Sequence, residues 1–171
     1  MRISMKLLIL LLLTLFAFDA TASSTKTDSK KDQRELRCLT QNIFFEARGE
    51  RTAGQLAVAM VTMNRVKSKR FPSSVCGVVW QKRQFSWTHD GKSDNPKNNP
   101  SDKRSWKQAK QIAEFIYYKY DTLKVRSNGA LDLTRGALHY YAPKMADPIW
   151  AKSKEVSRQI GGHVFLVGEN S

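Results

Sequence analysis

The chain has 171 residues, and its 29 lysines and arginines against 15 acidic residues give a net charge of +14. A charge of this sign and size indicates a polyanionic partner, such as nucleic acid, an anionic membrane face or an acidic cell envelope. The sequence has neither a paired Cys/His zinc spacing nor an aromatic RNA-binding signature. We therefore expect no nucleic-acid partner and favour the anionic envelope.

The first 22 residues are typical of a secretory signal peptide. Arg2 and Lys6 precede an apolar run over 7–18 that contains one polar residue, Thr14, and small residues follow at 20–22. The run is shorter than the roughly 20 residues needed to span a bilayer. We expect cleavage after Ala22, export to the periplasm or cell wall, no stable membrane span afterwards, and a mature charge of +13. An uncleaved membrane anchor is the alternative.

Apolar spacing predicts helices in the first two thirds of the chain. Residues 23–35 read as a polar linker, because they offer little to bury, and 36–171 as one catalytic domain. A first helix is expected over 33–47. Leu36, Leu39, Ile43 and Glu46 share one face of it, and Gly49 stops it.

Two further helices and a small β element complete the predicted fold. Thr52 and Gln55 form a capping-box pattern that opens a helix to about Lys69. Ser101 or Asp102 is expected to cap a helix that runs to Tyr120. Between these helices, 88–104 reads as a long surface loop. β-prone runs at 137–141 and 163–167 make the predicted class α+β, rich in helix.

Cys38 and Cys76 are the two cysteines, and both lie in the part expected to be exported. In an oxidising compartment such a pair indicates a disulfide, which would stabilise the fold by about 4 kcal/mol on the chain-entropy model. Two buried free thiols are the alternative. A nucleophilic Cys76 is disfavoured, because its apolar neighbours raise the pKa of a thiol.

Glu46 is the strongest candidate for chemistry. It continues the apolar stripe of the first helix, and Phe44 and Phe45 precede it. Burial raises the pKa of a carboxyl, and a carboxylic acid that stays protonated near neutral pH is what glycosidic cleavage requires. The alternative is a surface glutamate paired with Arg48 or Arg51.

The other acidic residues are weaker candidates. Glu50 lies between Arg48 and Arg51 and reads as an ion-paired or supporting group. A hydrolase of the inverting or retaining type needs a second carboxylate. Asp90, Asp94 and Asp102 lie in the polar loop and cannot be ranked for that role.

The three histidines, His89, His139 and His163, raise the alternative of a metallopeptidase. Neither HExxH nor a His-x-His pair is present, and these spacings bring two imidazoles to one zinc ion. We therefore expect no metal and no other cofactor.

Two clusters place aromatic rings beside polar side chains, an arrangement that suits sugars. Rings stack on the apolar faces of a sugar, while polar groups bind its hydroxyl and acetamido groups. Ordinary core aromatics are the alternative interpretation. The candidate substrate-binding residues are Gln84, Phe85, Ser86, His139, Tyr140 and Tyr141.

These residues resemble the cell wall hydrolase family of the spore cortex-lytic enzymes. Six motifs follow in the family's order and cover about residues 36–166. They are Leu39-Thr40-Gln41-Asn42-Ile43-Phe44-Phe45-Glu46-Ala47-Arg48-Gly49-Glu50, Gly54-Gln55 with Val58-Ala59 and Asn64-Arg65-Val66, Phe71-Pro72-Ser73-Ser74-Val75-Cys76-Gly77-Val78-Val79, Gln84-Phe85-Ser86, Gly136-Ala137-Leu138-His139-Tyr140-Tyr141 with Trp150, and Ile160-Gly161-Gly162-His163-Val164-Phe165.

The resemblance implies a lysozyme-like α+β fold related to goose-type lysozymes. It also implies cleavage of peptidoglycan between N-acetylmuramic acid and N-acetylglucosamine, with Glu46 as the one essential acid. Members of this type resemble lytic transglycosylases, in which the muramic 6-hydroxyl attacks its own anomeric carbon and no second carboxylate is required. No added peptidoglycan-binding domain is recognised, so wall remodelling and phage-type lysis stay open beside spore germination.

Two alternatives remain at the level of the sequence. One is a muramidase-type hydrolase, with its second carboxylate in the 88–104 loop. The other is a non-catalytic cationic protein that binds the cell envelope, which the charge and the aromatic clusters would also suit.

Overall fold

The computed structural model describes residues 19–168, and their side chains from residue 29 onward. The chain divides into two compact units, 1–34 and 35–171, and the elements that form the site belong to the second. The expected signal peptide lies mostly outside the described residues, so it stays a prediction. Among the helices of residues 19–168, none is long and apolar enough to cross a membrane.

Helix α1 spans Asp19–Ala47 and ends where the sequence predicted. It begins well before Gln33, because 23–32 are helical, whereas a linker without regular structure was expected there. The serine, threonine, lysine and aspartate of this segment gave no apolar stripe from which the earlier start could be inferred. That 23–35 acts as a linker stays a prediction.

Helix α2 spans Thr52–Lys67 and is buried on almost every side, from Gly54 to Arg65. Such a helix forms the centre of a domain. The predicted capping box is wrong. Arg51 occupies the N-cap position and makes no side-chain capping bond. Gln55 instead donates to the carbonyl oxygen of Glu50 at 3.0 Å.

The short helix α3 spans Val75–Val79 and is tied to α1 in two ways. The disulfide between Cys38 and Cys76 is confirmed, with their Cα atoms 5.2 Å apart. The buried carboxylate of Glu35 accepts a hydrogen bond from the Cys76 backbone at 3.1 Å.

Helix α4 spans Pro100–Arg126, and Asn99 caps it by accepting from the Asp102 backbone N–H. The predicted caps, Ser101 and Asp102, are wrong because Pro100 already begins the helix, a position that proline favours. The helix also continues past Tyr120, the predicted end. Its buried face consists of Ala109, Ile112, Ala113, Ile116 and Tyr120.

Three antiparallel strands form the sheet, in the order β1-β3-β2. β1 spans His139–Tyr141, β2 Glu155–Ile160 and β3 His163–Val167. The sequence predicted β1 and β3 but not β2, because apolar and polar residues alternate only weakly along β2. β3 lies in the centre, and its Phe165 packs with Val58 and Val61 of α2. A second, larger cluster joins the helices to each other through Leu39, Ile43, Phe44, Ile116 and Tyr120.

A contact between Glu50 and the β2–β3 turn fixes the sheet against the helices. Both carboxylate oxygens of Glu50 lie 3.1–3.2 Å from the Gly162 backbone N–H, which donates to them. Gly161 has φ +59°, and a Cβ there would overlap Glu50 Oε2. Gly54 in α2 also lies close to Glu50, because a Cβ there would come within 2.9 Å of the Glu50 Cβ. We call this arrangement the Glu50 clamp.

Candidate active site

A depression of about 180 Å³ opens where the end of α1, the last turn of α2, the segment before the 3-10 helix Ser86–His89, β1 and the 3-10 helix Ile149–Ala151 meet. Five separate parts of the chain therefore contribute to it. Its lining residues are Glu46, Arg65, Arg83, Gln84, Phe85, His139, Tyr140 and Trp150.

Glu46 lies in the last turn of α1 and is partly buried. Its Oε2 accepts a hydrogen bond from the Tyr140 hydroxyl at 3.2 Å. Burial raises the pKa of the carboxyl, and this effect outweighs the Tyr140 hydrogen bond, the charge of Arg65 and the Trp87 indole, all of which favour the carboxylate. Trp87 Nε1 has no hydrogen bond of normal geometry, so we regard its influence as weak. No ion pair of Glu46 with Arg48 or Arg51 occurs within residues 29–168.

Arg65 supplies a buried positive charge next to this acid, with 2% of its surface exposed. Its Nε donates to the Leu138 carbonyl oxygen at 2.7 Å. With the Gln84 amide oriented so that its oxygen faces the guanidinium, that oxygen accepts from both terminal nitrogens at 3.0 and 3.1 Å. The guanidinium also lies over the rings of Phe71 and Phe85. The charge is therefore held in one place and can stabilise Glu46 once the proton has left.

Tyr140 acts only as a donor toward Glu46. Burial and the neighbouring Glu46 charge raise the pKa of its phenol well above the usual value. Its ring packs among Phe85, His163 and Phe165. The hydroxyl is thereby held in a fixed position relative to the carboxyl.

His139 and Trp150 form the rim of the depression. Burial, followed by the charges of Arg65, Lys154 and Arg70, lowers the pKa of His139 to about 4, so the imidazole is neutral near pH 7. The two rings lie 5.8 Å apart, and Trp150 is 45% exposed. An exposed indole beside a neutral imidazole offers an apolar face and a hydrogen-bonding group to a sugar.

The structure brings together most of the residues expected from the sequence. Gln84, Phe85, His139 and Tyr140 lie with Glu46, although their roles in binding or catalysis stay predictions. Ser86 and Tyr141 do not line the depression. Ser86 is exposed at the start of the 3-10 helix, and Tyr141 faces the other side of β1, against Ala151, Val164 and Leu166.

Sequence reasoning missed Arg65, Arg83 and Trp87 as contributors to the site. Arg65 could have been recognised from the sequence. It is a charged residue within an otherwise apolar helix, and a buried charge needs a partner. Arg83 adopts φ +62° and lies in a loop, and no pattern marked it. Trp87 belonged to the predicted aromatic cluster of residues 84–87, but it was not chosen as a candidate binding residue.

The remaining acidic candidates lie elsewhere. Asp90, Asp94 and Asp102 line a different cavity. The Glu50 carboxylate makes its contacts within the Glu50 clamp, and His163 Nδ1 lies 3.8 Å from its Oε1. It does not form the expected ion pairs with its arginine neighbours within the described chain. Over the same residues, no three His, Cys, Asp or Glu side chains cluster as metal ligands would.

Two solved structures share this architecture. The catalytic domain of the Bacillus cereus SleB protein has a TM-score of 0.55 and 29% identity, with 78% of this chain and 90% of that one covered. The catalytic domain of the germination-specific lytic transglycosylase SleB from Bacillus anthracis has a TM-score of 0.57 and 29% identity, covering 78% and 94%. The predicted lysozyme-like α+β fold is thereby confirmed.

Sequence relatives agree with the structural ones. The spore cortex-lytic enzyme of Bacillus cereus is 30% identical over 141 residues, which are 82% of this chain and 47% of that enzyme. The enzyme of the same description from Bacillus subtilis is 30% identical over 131 residues, 77% and 37% respectively. The chain thus spans half or less of the length of these relatives. The profile of the Cell Wall Hydrolase family matches residues 49–166, beginning just after Glu46. The chain therefore belongs to the cell wall hydrolase family.

Proposed function

We propose that this protein is exported and cleaves the glycan strand of peptidoglycan between N-acetylmuramic acid and N-acetylglucosamine, as a lytic transglycosylase with Glu46 as its only catalytic carboxyl. One observation carries the proposal. Glu46 is the single acid among the eight residues that line the depression, and its pKa is raised by burial. A carboxyl whose pKa is raised is better suited than an ordinary carboxyl to protonating a leaving oxygen.

The reaction needs one group that both gives and takes a proton. Protonated Glu46 donates to the glycosidic oxygen as the bond from that oxygen to the muramic C1 breaks, and the N-acetylglucosamine hydroxyl leaves. The muramic 6-hydroxyl then bonds to C1, and its proton passes to the Glu46 carboxylate. No water is consumed, and the acid is restored. An internal nucleophile has a high effective molarity, which removes the need for a second carboxylate.

The neighbours of Glu46 suit the two halves of this cycle. Burial favours the neutral acid before donation, while Arg65 and the Tyr140 hydroxyl stabilise the carboxylate after it. Because the Gln84 oxygen accepts from Arg65, its amino group remains to donate to an acetamido oxygen of the sugar. Trp150 offers its exposed ring to the apolar face of a sugar.

Export and envelope binding are supported less directly. The net charge of +14 would attract the chain to an anionic wall, and a disulfide is typical of an oxidising compartment. The relatives described as a spore cortex-lytic enzyme and a lytic transglycosylase support cleavage of a wall polymer.

Digestion of purified murein, followed by mass spectrometry of the soluble fragments, tests the proposal. We expect 1,6-anhydro-muramyl ends, which are one water lighter than reducing ends. Fragments with only reducing muramic ends would identify a muramidase, and a second carboxylate would then have to be sought. Intact sacculi with bound protein would instead identify a non-catalytic envelope binder.

A further inference from the structure

A second cavity, of about 650 Å³, lies next to the candidate active site. The end of α1 and the Trp87 side chain form one wall, and the segment 90–102 forms the other. Phe45 and Trp87 stack with ring centroids 4.7 Å apart and line this wall. Phe45 directly precedes Glu46, and Trp87 belongs to the electrostatic surroundings of the Glu46 carboxyl. One aromatic layer therefore separates the cavity from the acid.

The loop that forms the outer wall is held in place by α1. The buried side chain of Gln41 donates to the Asp94 carbonyl oxygen at 3.0 Å. Arg37 donates to Asn95 Oδ1 at 2.6 Å. These contacts bridge more than 50 residues of sequence and position Asp94 at the cavity wall.

Three charged side chains of the cavity have no partner of opposite charge within the described residues 29–168. Arg48 and Lys97 are cations without an ion pair, and Asp94 is a carboxylate without one. The other acids of the cavity are engaged. Asp90 pairs with Lys92 at 3.6 Å, and the Asp102 carboxylate accepts from the Lys97 backbone at 3.1 Å. The cavity therefore offers two positive groups and one negative group to a ligand.

We propose that this cavity binds the peptide side chain carried by muramic acid, a short peptide with free carboxylates and an amino group; the inference rests on the proposed function. Arg48 and Lys97 would bind its carboxylates, and Asp94 its ammonium group. The peptide extends from the sugar whose C1 reacts at Glu46, so a site one aromatic layer away lies within its reach. Peptide binding would then help to place the scissile bond.

The first test compares two substrates, intact murein and glycan strands whose peptides have been removed with an amidase. For the wild-type protein we expect a kcat/KM about tenfold or more higher on the peptide-bearing glycan. In the variant R48Q/K97Q this ratio should fall by about tenfold, because two exposed ion pairs of ordinary strength together account for a factor of about this size.

The matched control is R104Q/K107Q, which removes the same charge from α4, where both side chains line a different cavity. It should keep the wild-type ratio. An equal fall in both variants would show a general charge effect and would overturn the inference, as would an unchanged ratio in R48Q/K97Q. If the wild-type protein cleaves neither substrate, the proposed function fails instead.

A second measurement does not depend on turnover. The free stem tripeptide, L-Ala-D-Glu-diaminopimelate, is titrated into the variant E46Q while the indole N–H resonances are followed by NMR, with W87F used to assign Trp87. We expect a saturable shift of the Trp87 resonance that is lost in E46Q/R48Q/K97Q. No shift at millimolar peptide, in E46Q protein whose unfolding curve matches that of the wild type, would overturn the inference.

Discussion

Replacing Gly161 by alanine tests the Glu50 clamp. Two costs add. A non-glycine residue at φ +59° loses about 1 kcal/mol. The new Cβ also displaces the Glu50 carboxylate, which loses its charge-assisted hydrogen bond from Gly162, worth about 1.5–3 kcal/mol. Because Glu50 keeps about a fifth of its side chain exposed, at 21%, we take the lower end of that range. The expected loss is about 2.5 kcal/mol, or about 5–10 °C in Tm for a domain of this size.

Thermal and urea unfolding, monitored by circular dichroism, measures this loss. The matched control is Gly91→Ala, because Gly91 has φ +71° but open space around its Cα. It should lose only the backbone cost, about 1 kcal/mol. In a Glu50→Ala background, Gly161→Ala should also cost about 1 kcal/mol, because the overlap has been removed. Equal losses for Gly161→Ala and Gly91→Ala in the wild-type background would refute this account of the clamp.

Three further predictions concern the acid and the disulfide. Glu46→Gln should lose activity on murein by about three orders of magnitude or more with its unfolding curve unchanged, because leaving-group protonation is lost; near-normal turnover would exclude Glu46 as the acid. Tyr140→Phe removes a hydrogen bond that lowers the pKa of Glu46, so that pKa rises and the alkaline limb of the kcat/KM profile moves to higher pH; a move to lower pH would contradict this sign. Thiol counting on denatured protein without reductant should find no free Cys38 or Cys76, and replacing both by serine should lower the free energy of unfolding by about 4 kcal/mol.

The sequence predicted those parts of the fold in which local pattern and burial coincide. Leu39, Ile43 and Glu46 share one face of α1, and this periodicity indicated an inward-facing acid while leaving a surface glutamate as the alternative. β3 was recognisable because a central strand is a continuous apolar run. β2 was not, because an edge strand with most of its residues exposed has no apolar alternation to detect.

The parts that escaped prediction depend on contacts between distant segments. Ser101 and Asp102 are good capping residues, but Asn99 takes the position because Pro100 fixes where the helix begins. Arg65 joins the site through Leu138 and Gln84, neither of which is near it in sequence. The role of Glu50 depends on the packing of the β2–β3 turn against α2, which no local pattern indicates.

The hydrogen bond between Tyr140 and Glu46 joins groups 94 residues apart in the chain. This approach closes a long loop, which costs conformational entropy that the other contacts of the fold must offset. A chain whose helices have formed while β1 is still undocked carries Glu46 as an ordinary solvated carboxyl, with neither its buried surroundings nor its phenol donor. The pKa of the carboxyl is then that of an ordinary glutamate, below its value in the complete fold. The raised pKa of Glu46 is therefore a property of the assembled fold, which the isolated helix α1 does not have.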